Sequence, residues 1–502
     1  MFELLINGLK IVLTPSTFLL LFAGTFIGVI FGAMPGVSAS MAVALALPFA
    51  YAMKPVIAIA FLVSVYCASI TGGGITAILF KIPGTPSSAP TTFDGYPMAQ
   101  RGEAGKALGY SLVASAIGGM VAAFAMALIS PQLAAVALKF GPSELFAVSF
   151  LGLSVLSCLD SGNLIKTLIS GLLGLALATV GMDPMLGIAR FTWGNSTLLS
   201  GIEMIPVMIG LFAVTEVLKQ TNKPSKIDTK AEVAPGASKA KTVLPSIKDL
   251  WDTKGTMARS SVLGTIVGIL PGAGATIASF LSYAIEKKVS KKANLLGTGI
   301  PDGIVASEAA NNAATGGSMV PLLSLGIPGG NAAAIMMTAL VIKGVQVGPL
   351  LVKTQPDFLS SVFGSMLVTN IVMVIVAMMI AKVFAKILSV PYSILGPVIV
   401  MLAAIGAYAL NNNTGDVMLM AGAGIIGYMF VKLGYNSAAL VLGLVLGQMC
   451  ESNFRRAYTL TNGNMMAVFT KPITAIIMIS CVIMLVYPMI QPLIKKGKKA
   501  QA

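Results

Sequence analysis

The chain has 502 residues, 56% of them hydrophobic and only 10% charged, with a formal net charge of +15 and no histidine. Soluble domains carry about 25% charged residues, so this composition excludes an ordinary soluble fold and points to a polytopic membrane protein. Without histidine the usual zinc and haem ligand and the commonest general base are missing, and no nucleophile–base pair is evident, which argues against an integral-membrane enzyme. Much of the positive excess sits in residues 219–259, in EKKVSKKAN (286–294) and in KKGKK (495–499), the distribution of cytoplasmic anchors rather than of a nucleic-acid surface. Cys67, Cys158, Cys450 and Cys481 lie in or beside apolar segments without a C-x-x-C pair, and read as small core residues.

The N-terminal MFELLINGLK has an early acidic residue and no basic region before an apolar stretch, so no cleaved signal peptide is expected. Apolar runs at 11–33, 111–130, 162–182, 362–381 and 472–494 are each long enough to cross a bilayer core of ~30 Å as helix. Residues 28–40, GVIFGAMPGVSAS, break the first of these runs with Pro35-Gly36. A second interruption follows in TGGGITAILFKIPG (71–84), continued by TPSSAP. The segment FDGYPMAQRGEAGKALG (93–109) is a polar loop rich in turn residues, and either a docking surface or a structural clasp fits it. Residues 219–258 are polar, lysine-rich and proline-bearing, the composition of a solvated linker.

Beyond the linker the first half repeats. Gly28, Gly32, Pro35, Gly36 and Ala39 fall at a constant offset on Gly264, Gly268, Pro271, Gly272 and Ala275, while Ser40 meets Thr276. TGGSMVPLLSLGIPG (315–329) parallels 71–84 with one residue inserted, and Lys81 faces Gly326. The pattern predicts an all-α protein of about 10–12 membrane segments. Its parts are a first transmembrane repeat (1–218), a cytoplasmic linker (219–258), a second repeat (259–470) and an extra C-terminal helix with a basic tail (471–502). Lys254 and Arg259 precede the broken run 260–286 and four lysines follow it, so both flanks prefer the cytoplasm. Its arms of about 11 and 14 residues are shorter than the ~20 a spanning helix needs. A re-entrant hairpin results. Because the last helix has no counterpart, each repeat crosses an odd number of times and the halves are expected to be inverted, although Arg455, Arg456 and Lys471 then face the side that the charge rule disfavours.

Freed backbone groups in hydrocarbon cost several kcal/mol unless protein or water satisfies them. Paired broken helices in two halves therefore mark a transporter's substrate site, where half-helix N-termini face an anion and unwound carbonyls a cation. The candidate substrate residues of the first half are Pro35, Gly36, Ser38, Ser40, Thr71, Gly72, Gly73, Pro83, Gly84, Thr85 and Ser87, with Ser88 beside them. Those of the second half are Pro271, Gly272, Gly274, Thr276, Pro328, Gly329, Gly330 and Asn331. In ASEAANNAATGG (306–317), Glu308, Asn311 and Asn312 share one helical arc. With Thr315 and Gly316 they are the candidate coupling-ion residues, and Glu308 can hold Na⁺, carry a proton or pair structurally. None of the five arginines lies centrally in an apolar run, so an arginine clamp is not expected. Asp160, Asp183, Glu203 and Asp416 sit beside turn residues and read as solvated or capping groups.

MPGVSASMAVALALPFAY, TGGGITAILFKIPGTPSSAPTTFDGYPMAQRG and SEAANNAATGGSMVPLLSLGIPGG together resemble the large membrane subunit of the tripartite tricarboxylate transporters, the TctA family. The resemblance covers essentially the whole chain. It implies a bacterial inner-membrane importer working with a small four-helix membrane subunit and a periplasmic solute-binding protein. It further implies a carboxylate substrate typified by citrate, an ion gradient (usually Na⁺) in place of ATP, and no organic cofactor. The chain has no G-x-x-x-x-G-K-[ST] stretch, in line with that energy source. Alternating access by an elevator-like motion is the expected mechanism. An importer of another organic or aromatic acid within the family, and a passive uniporter or channel, are the competing expectations.

Overall fold

The computed structural model describes residues 2–34, 37–154, 164–183, 187–194, 196–221, 242–270, 274–380 and 392–500. Its helices run α1 (Phe2–Val12), α2 (Pro15–Ala33), α3 (Ala39–Tyr51), α4 (Pro55–Phe80), α5 (Thr91–Met98), α6 (Ala104–Ala137), α7 (Pro142–Ser154) and α8 (Leu164–Ala178). After a short connection through α9 (Met204–Ile209) and α10 (Thr215–Thr221) come α11 (Ile247–Ile269), α12 (Gly274–Val289), α13 (Pro301–Leu325), α14 (Asn331–Ile342), α15 (Leu351–Thr354) and α16 (Pro356–Ile380). Helices Tyr392–Asn411, Thr414–Leu433, Ser437–Leu460 and Pro472–Ala500 complete the bundle. Among the described residues the only strands are the two-residue pair Gly181–Met182 and Ala189–Arg190. Among the described residues five helical stretches are long and apolar enough to cross a membrane, and five shorter apolar helices accompany them. The chain is an all-α membrane protein, the architecture that lets every backbone group in lipid bond within its own segment.

Each half presses a glycine-bearing helix onto the backbone of a buried one. Gly28 and Gly32 of α2 lie against the carbonyls of Val65 and Ser69 on α4, and Gly264 and Gly268 of α11 lie against those of Ala310 and Ala314 on α13. A methyl at any of these glycines would collide with a carbonyl, so only glycine permits so close an approach. The recurrence also fixes the register of the second motif. Gly84 N–H donates to Gly73 O at 3.2 Å, and Gly329 N–H donates to Ser318 O at 3.3 Å. Gly73 is thus equivalent to Ser318, and Thr71 to Gly316 rather than to Thr315. The inserted residue therefore falls before the Thr-Gly-Gly segments, where helix packing rather than letter identity sets the alignment. Lys81 and Gly326 both end their helices in the left-handed region, at φ 57° and 72°. Their difference lies in the side chain, since the Lys81 ammonium sits 5.5 Å from the centre of the Tyr96 ring.

The tips at Pro35-Gly36 and Pro271-Gly272 lie outside the described residues. The arms of the second hairpin are antiparallel and joined at their open end. Arg259 Nη2 and Thr256 Oγ1 reach Glu286 at 2.7 and 2.8 Å, and Ser282 Oγ bonds Ser260 Oγ at 2.9 Å. The first arm is longer than the apolar run predicts. Ser246 and Asp249 form a reciprocal capping box that starts α11 at Ile247, so residues 247–258 of the expected linker are helical. The preceding strip lies on α6, with Val243 N–H donating to Gly105 O at 2.9 Å.

The 93–109 segment is a clasp. Asp94 is wholly buried and receives the backbone N–H groups of Gly297, Gly299 and Ile300 at 2.9–3.0 Å and the Tyr283 hydroxyl at 2.8 Å. Arg101 grips the same loop through the carbonyls of Thr298 and Gly299. The clasp holds the N-terminus of α13, where amides are unpaired and a carboxylate is favoured. Gly303 lies directly under the Asp94 carboxylate, a place no side chain can occupy.

Candidate functional site

Held at its N-terminus by the clasp, α13 is buried along nearly its whole length, including Glu308, Asn311, Asn312 and Thr315. Glu308 is wholly buried and accepts from Thr91 Oγ1 at 2.6 Å and Ser115 Oγ at 3.1 Å. Thr91 also bonds Ser307 Oγ at 2.8 Å. One turn on, Asn312 accepts from Thr71 Oγ1 at 3.0 Å and donates to Asn311 Oδ1 at 2.8 Å, while Asn311 Nδ2 reaches Ser87 O at 3.5 Å. Thr85 bonds Ser87 and Ser88 at 3.0 and 3.1 Å, and these hydroxyls lie over Gly73, where a methyl would come within 2.7 Å of Ser88 Oγ. Residues predicted from both halves, Thr71, Gly73, Thr85 and Ser87 with Glu308, Asn311 and Asn312, therefore form one buried polar network. Among the described ion pairs none reaches Glu308.

Other predicted residues stand elsewhere. Gly72 meets the Val29 carbonyl, Gly84 that of Gly32, Gly316 the side chains of Ala122 and Met366, and Gly329 the Ser318 backbone. Thr315 donates back to Asn312 O at 2.6 Å and lies 3.6 Å from Cys67 Sγ. Ser38 caps α3 by accepting from Met41 N–H at 3.1 Å, and Ser40 is half-buried in its first turn. Pro83 is half-buried and Pro328 buried. Gly274, at φ +60°, opens α12, with Thr276 in its first turn, and a methyl on Gly330 would lie 4.0 Å from Gly274 Cα; Asn331 then starts α14. The N-termini of α12 and α14 thus converge.

The sequence reading missed Thr91, Ser111 and Ser115. Ser111 and Ser115 are one helical turn apart on α6, a spacing visible in the sequence, but hydroxyls in an apolar helix usually bond their own backbone and carry no periodic signal. It also took Asp183 for a solvated or capping group. Asp183 is buried and pairs with Arg455 at 2.7 Å and Arg190 at 3.4 Å, and Glu451 bonds both arginines. These partners border a cavity of about 190 Å³ with balanced charge. Asp416 is likewise buried rather than solvated and accepts from Asn411 Nδ2 at 2.9 Å, while Asn413 caps the helix by accepting from Gly415 N–H. Asp160 lies outside the described residues.

A polytopic helical bundle with a carboxylate sunk among hydroxyls and amides from both halves is the frame of a membrane transport protein. Residues 18–442 match the family model of the tripartite tricarboxylate transporter TctA family, and the chain belongs to that family. It is 37% identical over 487 residues, 96% of each chain, to an uncharacterized 52.8 kDa protein in the TAR-I ttuC' 3' region of Agrobacterium vitis. A second protein of that organism, in the TAR-II ttuC' 3' region, is 38% identical over 231 residues, 45% of this chain and 96% of the relative. No solved structure matches.

Proposed function

We propose that the chain is the transport subunit of a binding-protein-dependent secondary transporter, importing di- or tricarboxylates such as citrate with Na⁺ as the coupling ion. The observation that carries this reading is Glu308, wholly buried, outside every described ion pair, and wrapped by groups from both halves. An uncompensated buried carboxylate is expensive, and a mobile cation relieves the cost. Because Thr91, Ser115 and Thr71 come from the first half and Glu308 and Asn312 from the second, occupancy biases how the halves sit, which is what alternating access requires. The converging N-termini of α12 and α14 offer unpaired amides and positive dipole ends to a substrate carboxylate. The motion is elevator-like, by analogy with other hairpin-containing anion transporters. The halves are inverted, with the linker and basic tail in the cytoplasm of a bacterial inner membrane. The partners are a small four-helix membrane subunit and a periplasmic solute-binding protein.

The test is uptake of labelled citrate into proteoliposomes holding the chain, its small subunit and the binding protein, with an inward Na⁺ gradient imposed or withheld. Accumulation only with Na⁺ and binding protein, lost in Glu308→Gln, is the expected result. Equilibration without accumulation would make the protein a uniporter. No citrate uptake by folded protein would remove citrate and call for a panel of other carboxylates.

A further inference from the structure

The geometry points to the space beside Gly74 as the seat of one dehydrated Na⁺-sized monovalent cation, taking oxygens from Glu308, Ser111, Ser115 and Thr91. This assignment rests on Glu308 as the coupling group and adds where the cation sits and what holds it.

Ser111 supplies the independent observation. Its Oγ is fully buried and has no hydrogen-bond partner, although a helical serine normally bonds a carbonyl of the preceding turn. The hydroxyl and the Glu308 carboxylate both lie against Gly74. The place a methyl would take on Gly74 is 2.7 Å from Glu308 Oε1 and 2.9 Å from Ser111 Oγ, so both oxygens converge on a space that only a glycine at 74 leaves open. Thr91 can turn its proton toward Ser307, which donates onward to the carbonyls of Gly303 and Ile304 at 3.1 Å. Its lone pairs then face that space. Ser115, at 3.1 Å from Glu308 Oε2, completes the set.

The chemistry of this set selects the ion. One carboxylate and three neutral hydroxyls balance a single positive charge, whereas Ca²⁺ and Mg²⁺ sites gather several carboxylates or waters. Among the described residues no cluster of three or more His, Cys, Asp or Glu exists to serve a divalent metal. The site is therefore suited to a monovalent ion stripped of water.

The test uses the full chain, purified in detergent, with thermal unfolding followed by exposure of the buried Cys67 and Cys481 thiols. NaCl is titrated against KCl at constant ionic strength. Na⁺ should raise the midpoint in the wild type, since a ligand bound only by the folded state stabilises it. Ser111→Ala should keep the KCl midpoint, because an unpartnered hydroxyl is lost, yet need about tenfold more Na⁺, about 1.4 kcal/mol. Ser130→Ala removes another buried, unpartnered hydroxyl of α6 and should respond to Na⁺ as the wild type does. An identical Na⁺ response in wild type and Ser111→Ala would overturn the site, and so would stabilisation by acid but not by Na⁺. Loss of the response in Glu308→Gln alone would place a cation at Glu308 outside this space, overturning the inference while sparing the coupling role. Na⁺-driven accumulation by Glu308→Gln in liposomes would instead refute the coupling role itself.

Discussion

Replacing Asp94 by alanine isolates the clasp that joins the two halves. Asp94 Oδ1 receives N–H groups from Gly297, Gly299 and Ile300, and Oδ2 receives the Tyr283 hydroxyl at 2.8 Å. Truncation strands these donors in a site from which the wild-type side chain excludes water entirely. A stranded buried donor costs ~1–3 kcal/mol, but the donors are neighbours, and water entering the gap recovers part of the loss. The sum is a destabilisation of about 3–5 kcal/mol, the range for removing one partner from a buried charged contact. Asp94→Asn keeps one carbonyl acceptor and turns an amide toward the remaining donors, so it should lose about half as much. Thermal unfolding read by the buried Cys67 and Cys481 thiols measures the global loss. Tryptic cleavage after Lys291 and Lys292, which precede the clasped loop, measures the local one. Faster cleavage and a lower midpoint are expected together. If Asp94→Ala melted with the wild type and were cut no faster, the buried bonds would not be carrying the α13 N-terminus.

The same contacts yield further expectations. Gly303→Ala drives a methyl into the Asp94 carboxylate and should cost about 1–3 kcal/mol by thermal unfolding, with no such loss at the helical Gly422, where nothing lies near. A double-mutant cycle between Arg259 and Glu286 should give a coupling of only ~1 kcal/mol, because the arginine is 41% exposed; a coupling near zero would detach the hairpin's open end from this pair. Asp183→Asn leaves Arg190 and Arg455 sharing Glu451 alone and should cost about 2–4 kcal/mol in the same assay. Lys81→Gly should be neutral within about 1 kcal/mol, relieved backbone strain offsetting the lost cation–π contact, whereas Lys81→Val should destabilise by about 1–2 kcal/mol. Equal behaviour of the two Lys81 variants would refute the strain argument.

Much of the site was legible because its physics is local. An isolated carboxylate with two asparagines in an alanine-rich run has few explanations in a membrane, and Glu308, Asn311 and Asn312 lie buried on one helix as their spacing predicts. Hydroxyls crowded after a Pro-Gly break were equally visible, and Thr85 and Ser87 join the same network. The illegible parts depend on distant partners. Asp183 looked like a turn residue because Arg455 is 272 positions away, and Asp94 could serve either a surface or a clasp until Gly297–Ile300 were brought to it. The linker boundary failed for a different reason. Lysine and aspartate content marked 247–258 as solvated, but a capping box makes this polar segment helical, and only Thr253, Thr256 and Met257 of it are buried.

The recurrence between the halves extends to backbone contacts and stops at chemistry. In the register set by the Gly73–Gly84 and Ser318–Gly329 bonds, Glu308, Asn311 and Asn312 correspond to Val63, Tyr66 and Cys67. Val63 is buried among apolar side chains, so the first half has no second carboxylate at the matching place. The hydroxyl loop Thr85–Ser88 corresponds in turn to Gly330–Ala333, which opens α14. One half thus supplies a charge and the other supplies the hydroxyls that face it, on scaffolds built from the same glycine contacts. The scaffolds also cross: α12 of the second half packs on the Pro86–Ser88 turn of the first, while α3 of the first packs on α14 of the second. A polar centre assembled this way cannot belong to either half alone. Any relative displacement of the two must change the shell around Glu308, and the proposed coupling of cation binding to motion rests on that contact between halves.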